Sequence, residues 1–176
     1  MKPSWHKRGV ACLRAQIQSG FTLVELMVTI AVLAILLAIA VPSFSEVMLS
    51  SRLRSYANDF VASSTLARGE AIKRNSVVNL CASSNGTSCV GNWEQGWIVL
   101  AGTTVIQRQQ ALSSGMKMVE SGGAASLNFQ STGVGTTPTT LTICRATPSV
   151  GSQERVISVS ATGRASVTKT ATGVCP

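Results

Sequence analysis

Glu25 is the residue whose chemistry fits its surroundings least. It stands at the head of an apolar run, and from Leu26 to Val41 no residue is charged. An ionised carboxylate inside such a run costs roughly 2.5–3.5 kcal/mol on membrane-insertion scales, so a chain that keeps one there has a use for it. The acid needs a cation, and the neighbouring residues offer none. Cleavage between Gly20 and Phe21 would create one, a free α-amino group four residues from Glu25. That amine can pair with the carboxylate of its own chain or with that of a neighbouring copy. The second arrangement makes a segment that packs side by side with copies of itself.

Other chemistry is sparse. Catalysis requires a positioned nucleophile, base or metal. The single histidine, His6, lies in the basic leader, and the acids Glu25, Glu46, Asp59, Glu70, Glu94, Glu120 and Glu154 form no paired motif. Phosphate-binding and dinucleotide-binding fingerprints are absent. The chain therefore reads as a non-enzyme with no cofactor and no metal. Cys12 belongs to the leader, which leaves Cys81, Cys89, Cys144 and Cys175. Their even number suggests two disulfides in an oxidising compartment, with three connectivities open. We favour Cys81–Cys89, which closes a short loop, and Cys144–Cys175, which pins the C-terminus.

These residues need elements to position them. Phe21–Val41 extends about 31 Å as a helix at ~1.5 Å per residue, enough to cross a hydrocarbon core of ~30 Å. Lys2, Lys7, Arg8 and Arg14 put four positive charges and no acid before it, which holds the leader in the cytoplasm and sends the rest outward. Without the leader the formal charge falls from +8 to +4, too little by itself to indicate nucleic acid binding. Pro42 removes a helical hydrogen bond and predicts a kink. Helical periodicity then resumes in the stripe Leu49, Leu53, Tyr56, Phe60, Ala67 and Ala71, and fades near Arg74-Asn75. Met48, Ala62 and Leu66 fall on the polar face. Beyond Ser76, alternation and turn residues predict strands at 77–81, 97–101, 105–109, 117–119, 126–129, 140–145, 155–160 and 164–168, the last two as a hairpin. The expected fold class is α+β: a long N-terminal helical spine, transmembrane in its first half, packed on a C-terminal antiparallel β-sheet domain. The divisions are a cleaved leader (1–20), a membrane or filament-core helix (21–44), an amphipathic second half (45–75) and a β domain (76–176).

Gly20-Phe21-Thr22-Leu23-Val24-Glu25-Leu26 resembles the class III signal of type IV pilins and type II secretion pseudopilins. The resemblance implies cleavage after Gly20 by a prepilin peptidase, N-methylation of Phe21, an assembly role for Glu25 and a helix that bends at Pro42. The segments Leu66–Asn75, Val78–Cys81, Trp93–Val99, Leu141–Cys144 and Arg155–Ser160, with Gly163-Arg164, resemble the GspH/FimT group of minor pilins and pseudopilins. This implies a minor pilin near the tip of a type IV pilus that primes assembly for motility or adhesion. A pseudopilin of type II secretion is the alternative. The implied partners are other major and minor pilins, the prepilin peptidase and the inner-membrane assembly machinery. The implied location is the bacterial inner membrane, single-pass with a periplasmic C-terminal domain, and later a pilus or pseudopilus. Some members of this group bind DNA through a C-terminal Gly-Arg-x-Arg motif. Here the run is Gly163-Arg164-Ala165-Ser166, without the second Arg. Arg145, Arg155, Arg164 and Lys169 are the candidate contacts, with Glu154 intruding among them. Phosphate binding relies on several cations together, so a solvated surface or subunit contact is the favoured reading of Arg164. Trp93 and Trp97 read as core residues and Gly163 as a turn.

Overall fold

The computed structural model describes residues 20–135 and 138–176. The leader residues 1–19, with their four cations, His6 and Cys12, lie outside these. The chain divides into two compact units between Val41 and Pro42. A single helix, α1 (Leu23–Arg74), is shared between them and is unbroken through position 42.

Local chemistry fixes both ends of α1. Thr22 Oγ1 accepts the Glu25 N–H at 3.2 Å, and the Thr22 carbonyl accepts the Leu26 N–H at 3.1 Å. Thr22 is thus the N-cap, and Glu25 sits in the first turn, where an acid meets the positive end of the helix dipole. At the other end Asn75 takes φ = 50°, the left-handed conformation that Asn adopts more readily than most residues. The Asn75 N–H reaches the Ile72 carbonyl and the Ser76 N–H the Ala71 carbonyl, each at 3.2 Å. These two bonds form a Schellman closure that satisfies otherwise orphaned carbonyls.

The strands are β1 (Val78–Ala82), β2 (Trp97–Ala101), β3 (Thr104–Gln109), β4 (Met116–Glu120), β5 (Ser126–Phe129), β6 (Thr139–Arg145), β7 (Glu154–Val159) and β8 (Ala165–Thr170). The eight strands expected from alternation are all present, with small shifts at their ends. A 3-10 turn at Trp93–Gln95 was not foreseen. The strands form two antiparallel sheets, ordered β3-β2-β1-β5 and β4-β6-β7-β8. The terminal hairpin is β7–β8, with Val159 opposite Ala165.

Between the helix and the sheets lies one core. In the first sheet, β1 presents Val78, Leu80 and Ala82, β2 presents Trp97 and Val99, and β5 presents Leu127 and Phe129. The second sheet contributes Met116, Met118, Leu141, Ile143, Ile157 and Val159. Leu49, Leu53, Phe60, Ala67 and Ala71 of α1 are buried in this core, with Tyr56 packed against it. Phe60 meets both Trp93 and Trp97 edge-on, at centroid distances of 5.5 and 5.6 Å. Polar groups inside are paired across elements: the Trp97 indole N–H donates to Ser63 Oγ at 3.0 Å, and the Tyr56 hydroxyl accepts the Ser113 N–H at 3.0 Å. Leu66 corrects the polar-face assignment, because it too packs against the core. Two sheets bury a wider arc of helix than one face would, and Ala57, Ser63 and Ser64 lie inside that arc as well. Met48 and Ala62 are exposed.

Candidate assembly site

The N-terminal segment presents its side chains outward. Every residue from Gly20 to Val41 is exposed, with Phe21 at 78% and Leu23 at 73%. A surface this apolar is not stable in water, and it is long enough to span a bilayer. Thr29 is the only other polar side chain between Glu25 and Val41, and its hydroxyl donates to the Leu26 carbonyl at 2.8 Å. That bond satisfies the hydroxyl within its own helix, as a lipid setting requires. The Glu25 carboxylate has no such partner among the described residues, although its backbone N–H is capped by Thr22. Sequence reasoning passed over Thr22. The signal was available, because Thr-x-x-Glu before an apolar run is the pattern of a capping box.

The head is closed by two disulfides and a buried acid. Cys81 is bonded to Cys89 and Cys144 to Cys175, with Cα separations of 5.4 and 5.6 Å. The second bond belongs to a strap. After β8 the C-terminal residues cross the outer face of the second sheet, over β7 and β6 to β4. Glu154 on β7 is the clasp: it accepts the Thr170 hydroxyl at 2.9 Å, the Thr172 N–H at 3.0 Å and the Gly173 N–H at 2.9 Å. Cys175 then reaches Cys144 on β6, and Lys117 Nζ on β4 lies 3.3 Å from the Pro176 oxygen. Burial alone would raise the Glu154 pKa, but the bonds from Thr172, Thr170 and Gly173 outweigh it and hold the carboxyl below the ordinary range. Glu120 is balanced the same way. Burial opposes its charge, while the Thr139 hydroxyl and the N–H groups of Ala124 and Gly122 lower its pKa.

The cation patch is corrected by the same geometry. Glu154 does not intrude on it, because successive strand residues face opposite sides, and Glu154 is under the strap. Arg155, its neighbour, points to the helix side and is only 4% exposed. There it donates to Ser50 Oγ, Gln153 Oε1 and the Glu154 carbonyl. Burial, then the charge of Arg54, pulls its pKa below the usual arginine value. Arg155 is therefore a structural guanidinium and offers nothing to a phosphate. Arg164 lies in the β7–β8 turn, whereas Lys169 opposes Arg155 near the far end of β8. Five residues of strand separate them, roughly 17 Å at ~3.4 Å per residue. Arg145 ends β6 and donates to the Ser149 carbonyl at 3.1 Å. Gly163 serves the turn twice: its φ is 72°, and a Cβ there would come 2.9 Å from the Gly133 carbonyl oxygen.

No group of three His, Cys, Asp or Glu side chains is arranged to hold a metal among the described residues. What this arrangement can do is assemble: an exposed apolar helix with one acid at its head, joined to a crosslinked domain.

The family model described as type II transport protein GspH matches residues 56–163, more than half the chain. A second, the prokaryotic N-terminal methylation motif, matches residues 16–41. The chain is similar in fold to the type IV minor pilin FimU of Pseudomonas aeruginosa in two crystal forms, at 22% identity. One has a TM-score of 0.54 over 68% of this chain and 90% of that one, the other 0.51 over 66% and 92%. The minor pseudopilin EpsH of the type 2 secretion system of Vibrio cholerae is 17% identical, with a TM-score of 0.49 over 66% of this chain and 96% of that one.

Proposed function

The chain belongs to the GspH family of type II transport proteins, and from that premise we propose that it is a minor pilin of a type IV pilus. It is made in the bacterial inner membrane as a single-pass precursor with its C-terminal domain in the periplasm. Prepilin peptidase cuts it between Gly20 and Phe21 and methylates the new amine. Glu25 then pairs with the terminal amine of a neighbouring pilin, which draws the subunit out of the bilayer and into a filament. Its place is near the tip, where it primes assembly with other minor and major pilins and the inner-membrane machinery.

One observation carries the reading. A Gly-Phe-Thr-x-x-Glu signal opens an apolar run that is exposed from Gly20 to Val41, and the helix that carries it continues into a GspH-type head. The two disulfides favour the pilus, because crosslinks help a small domain persist outside the cell. The family description favours a second reading, a minor pseudopilin of type II secretion. Deleting the gene separates them. The pilus reading expects lost surface piliation and twitching with exoprotein secretion intact. Lost secretion with normal pili would reject it for the pseudopilin. DNA uptake is a weaker proposal, since Arg155 is buried and Arg164 stands apart from Lys169.

A further inference from the structure

A cleft of about 230 Å³ runs along one flank of α1, where the helix meets the second sheet, lined by Ser45, Met48, Leu49, Arg52, Ser113, Ser114, Met116 and Arg145. Leu49 and Met116 give it an apolar floor. Among the described residues, Arg52 and Arg145 are the charged ones that line it. Neither meets a carboxylate among the described residues, where the ion pairs are Lys73 and Arg74 with Glu70. Ser113 and Ser114 complete the lining, and Ser113 Oγ is buried without a hydrogen-bond partner among the described residues. Two guanidiniums with hydroxyl donors and no acid in the lining make a site for an oxyanion, the nearby Glu46 carboxylate being bonded to Ser152, and a guanidinium fork matches a phosphate.

The chain itself suggests where that phosphate comes from. Ser45 is only four residues beyond Val41, the last residue of the apolar run. Phe44, Met48 and Arg52 follow one another at i, i+4 and i+8 and share a helix face. Phe44 is 67% exposed and Met48 41%. Apolar groups followed by a cation repeat the order of acyl chain and headgroup in a phospholipid.

We propose that this cleft binds the phosphate of an anionic phospholipid headgroup, holding the head of the unassembled subunit at the membrane surface. The inference rests on the reading of residues 21–41 as a membrane span. Arg52 and Arg145 bind the phosphate oxygens, and Phe44 and Met48 lie against the upper acyl chain.

Native mass spectrometry of the mature full chain in detergent, titrated with phosphatidylglycerol, tests it. One lipid should be retained. Arg52→Gln and Arg145→Gln should each weaken retention about fivefold and the pair about thirtyfold, at ~1 kcal/mol per cation near an anionic surface. Arg52 has no ion pair among the described residues and is exposed, so its substitution is expected to leave the fold intact. Arg108→Gln with Lys169→Gln, an equal charge loss elsewhere, should leave retention unchanged. Equal weakening by that control pair, or none by Arg52→Gln, overturns the site. Full displacement of the lipid by millimolar inorganic phosphate overturns the lipid as its ligand. Flotation with phosphatidylglycerol vesicles reads the span separately. A chain that floats but shows no dependence on the cleft loses only the headgroup site, and a chain that does not float loses both.

Discussion

The two halves of α1 solve opposite problems with the same backbone. From Leu23 to Val41 every side chain is exposed and nearly all are apolar. From Leu49 to Ala71 most apolar residues are buried or half-buried against two sheets and the exposed positions are largely polar. The rear half carries its own partner in the sequence that follows. The front half has none among the described residues, and it is long and apolar enough to cross a membrane. The acids follow the same division. Glu154 and Glu120 are buried with all the donors they need, whereas the Glu25 carboxylate has no partner among the described residues. An acid that is complete at home holds a fold together, and one left incomplete is available to a neighbour.

Substitutions that act on one half only should sharpen this contrast. Phe60→Ala removes a ring packed between two tryptophans and should destabilise the head by about 3–5 kcal/mol in denaturant unfolding of the mature chain in detergent. Leu33→Ala should leave that transition where it is; a comparable loss there would break the division. Next are the crosslinks. Cys144→Ser with Cys175→Ser opens a loop of 31 residues and should cost about 4 kcal/mol. Cys81→Ser with Cys89→Ser, a loop of 8, should cost about 2.5 kcal/mol. The reverse order would mean that the strap adds little to the head.

Much of this was legible beforehand because it rests on short-range pattern. The strands announce themselves by alternation, as in Thr139–Arg145, and the stripe Leu49–Ala71 by its 3–4 residue spacing. The failures share one cause, a neighbour distant in sequence. Leu66 reads as polar-face because a helical wheel knows nothing of a second sheet. Arg155 reads as a surface cation because Ser50, which accepts its hydrogen bond, is 105 residues away. Glu154 reads as one more surface acid because the strap that covers it arrives only at Thr170–Gly173.

The smallest expected effect belongs to the clasp. Glu154→Gln replaces a charged acceptor of three hydrogen bonds and should cost about 1–3 kcal/mol. Because its folded pKa lies below the ordinary 4.5, its contribution is complete above that value and is lost as pH falls through the lower, folded one. Acid unfolding should therefore be shallower in Glu154→Gln than in the wild type between about pH 5 and the folded pKa. Identical slopes would mean that the strap is held without the acid. Glu120 titrates in the same direction, so some acid sensitivity survives the substitution.

The intact mass and N-terminal sequence of the chain recovered from cells test the central claim most directly. The account predicts a chain that starts at Phe21, carries one extra methyl group on its amine and retains Glu25 and the whole apolar run. A chain that still starts at Met1, or one cut beyond Val41 so that the run is gone, contradicts it.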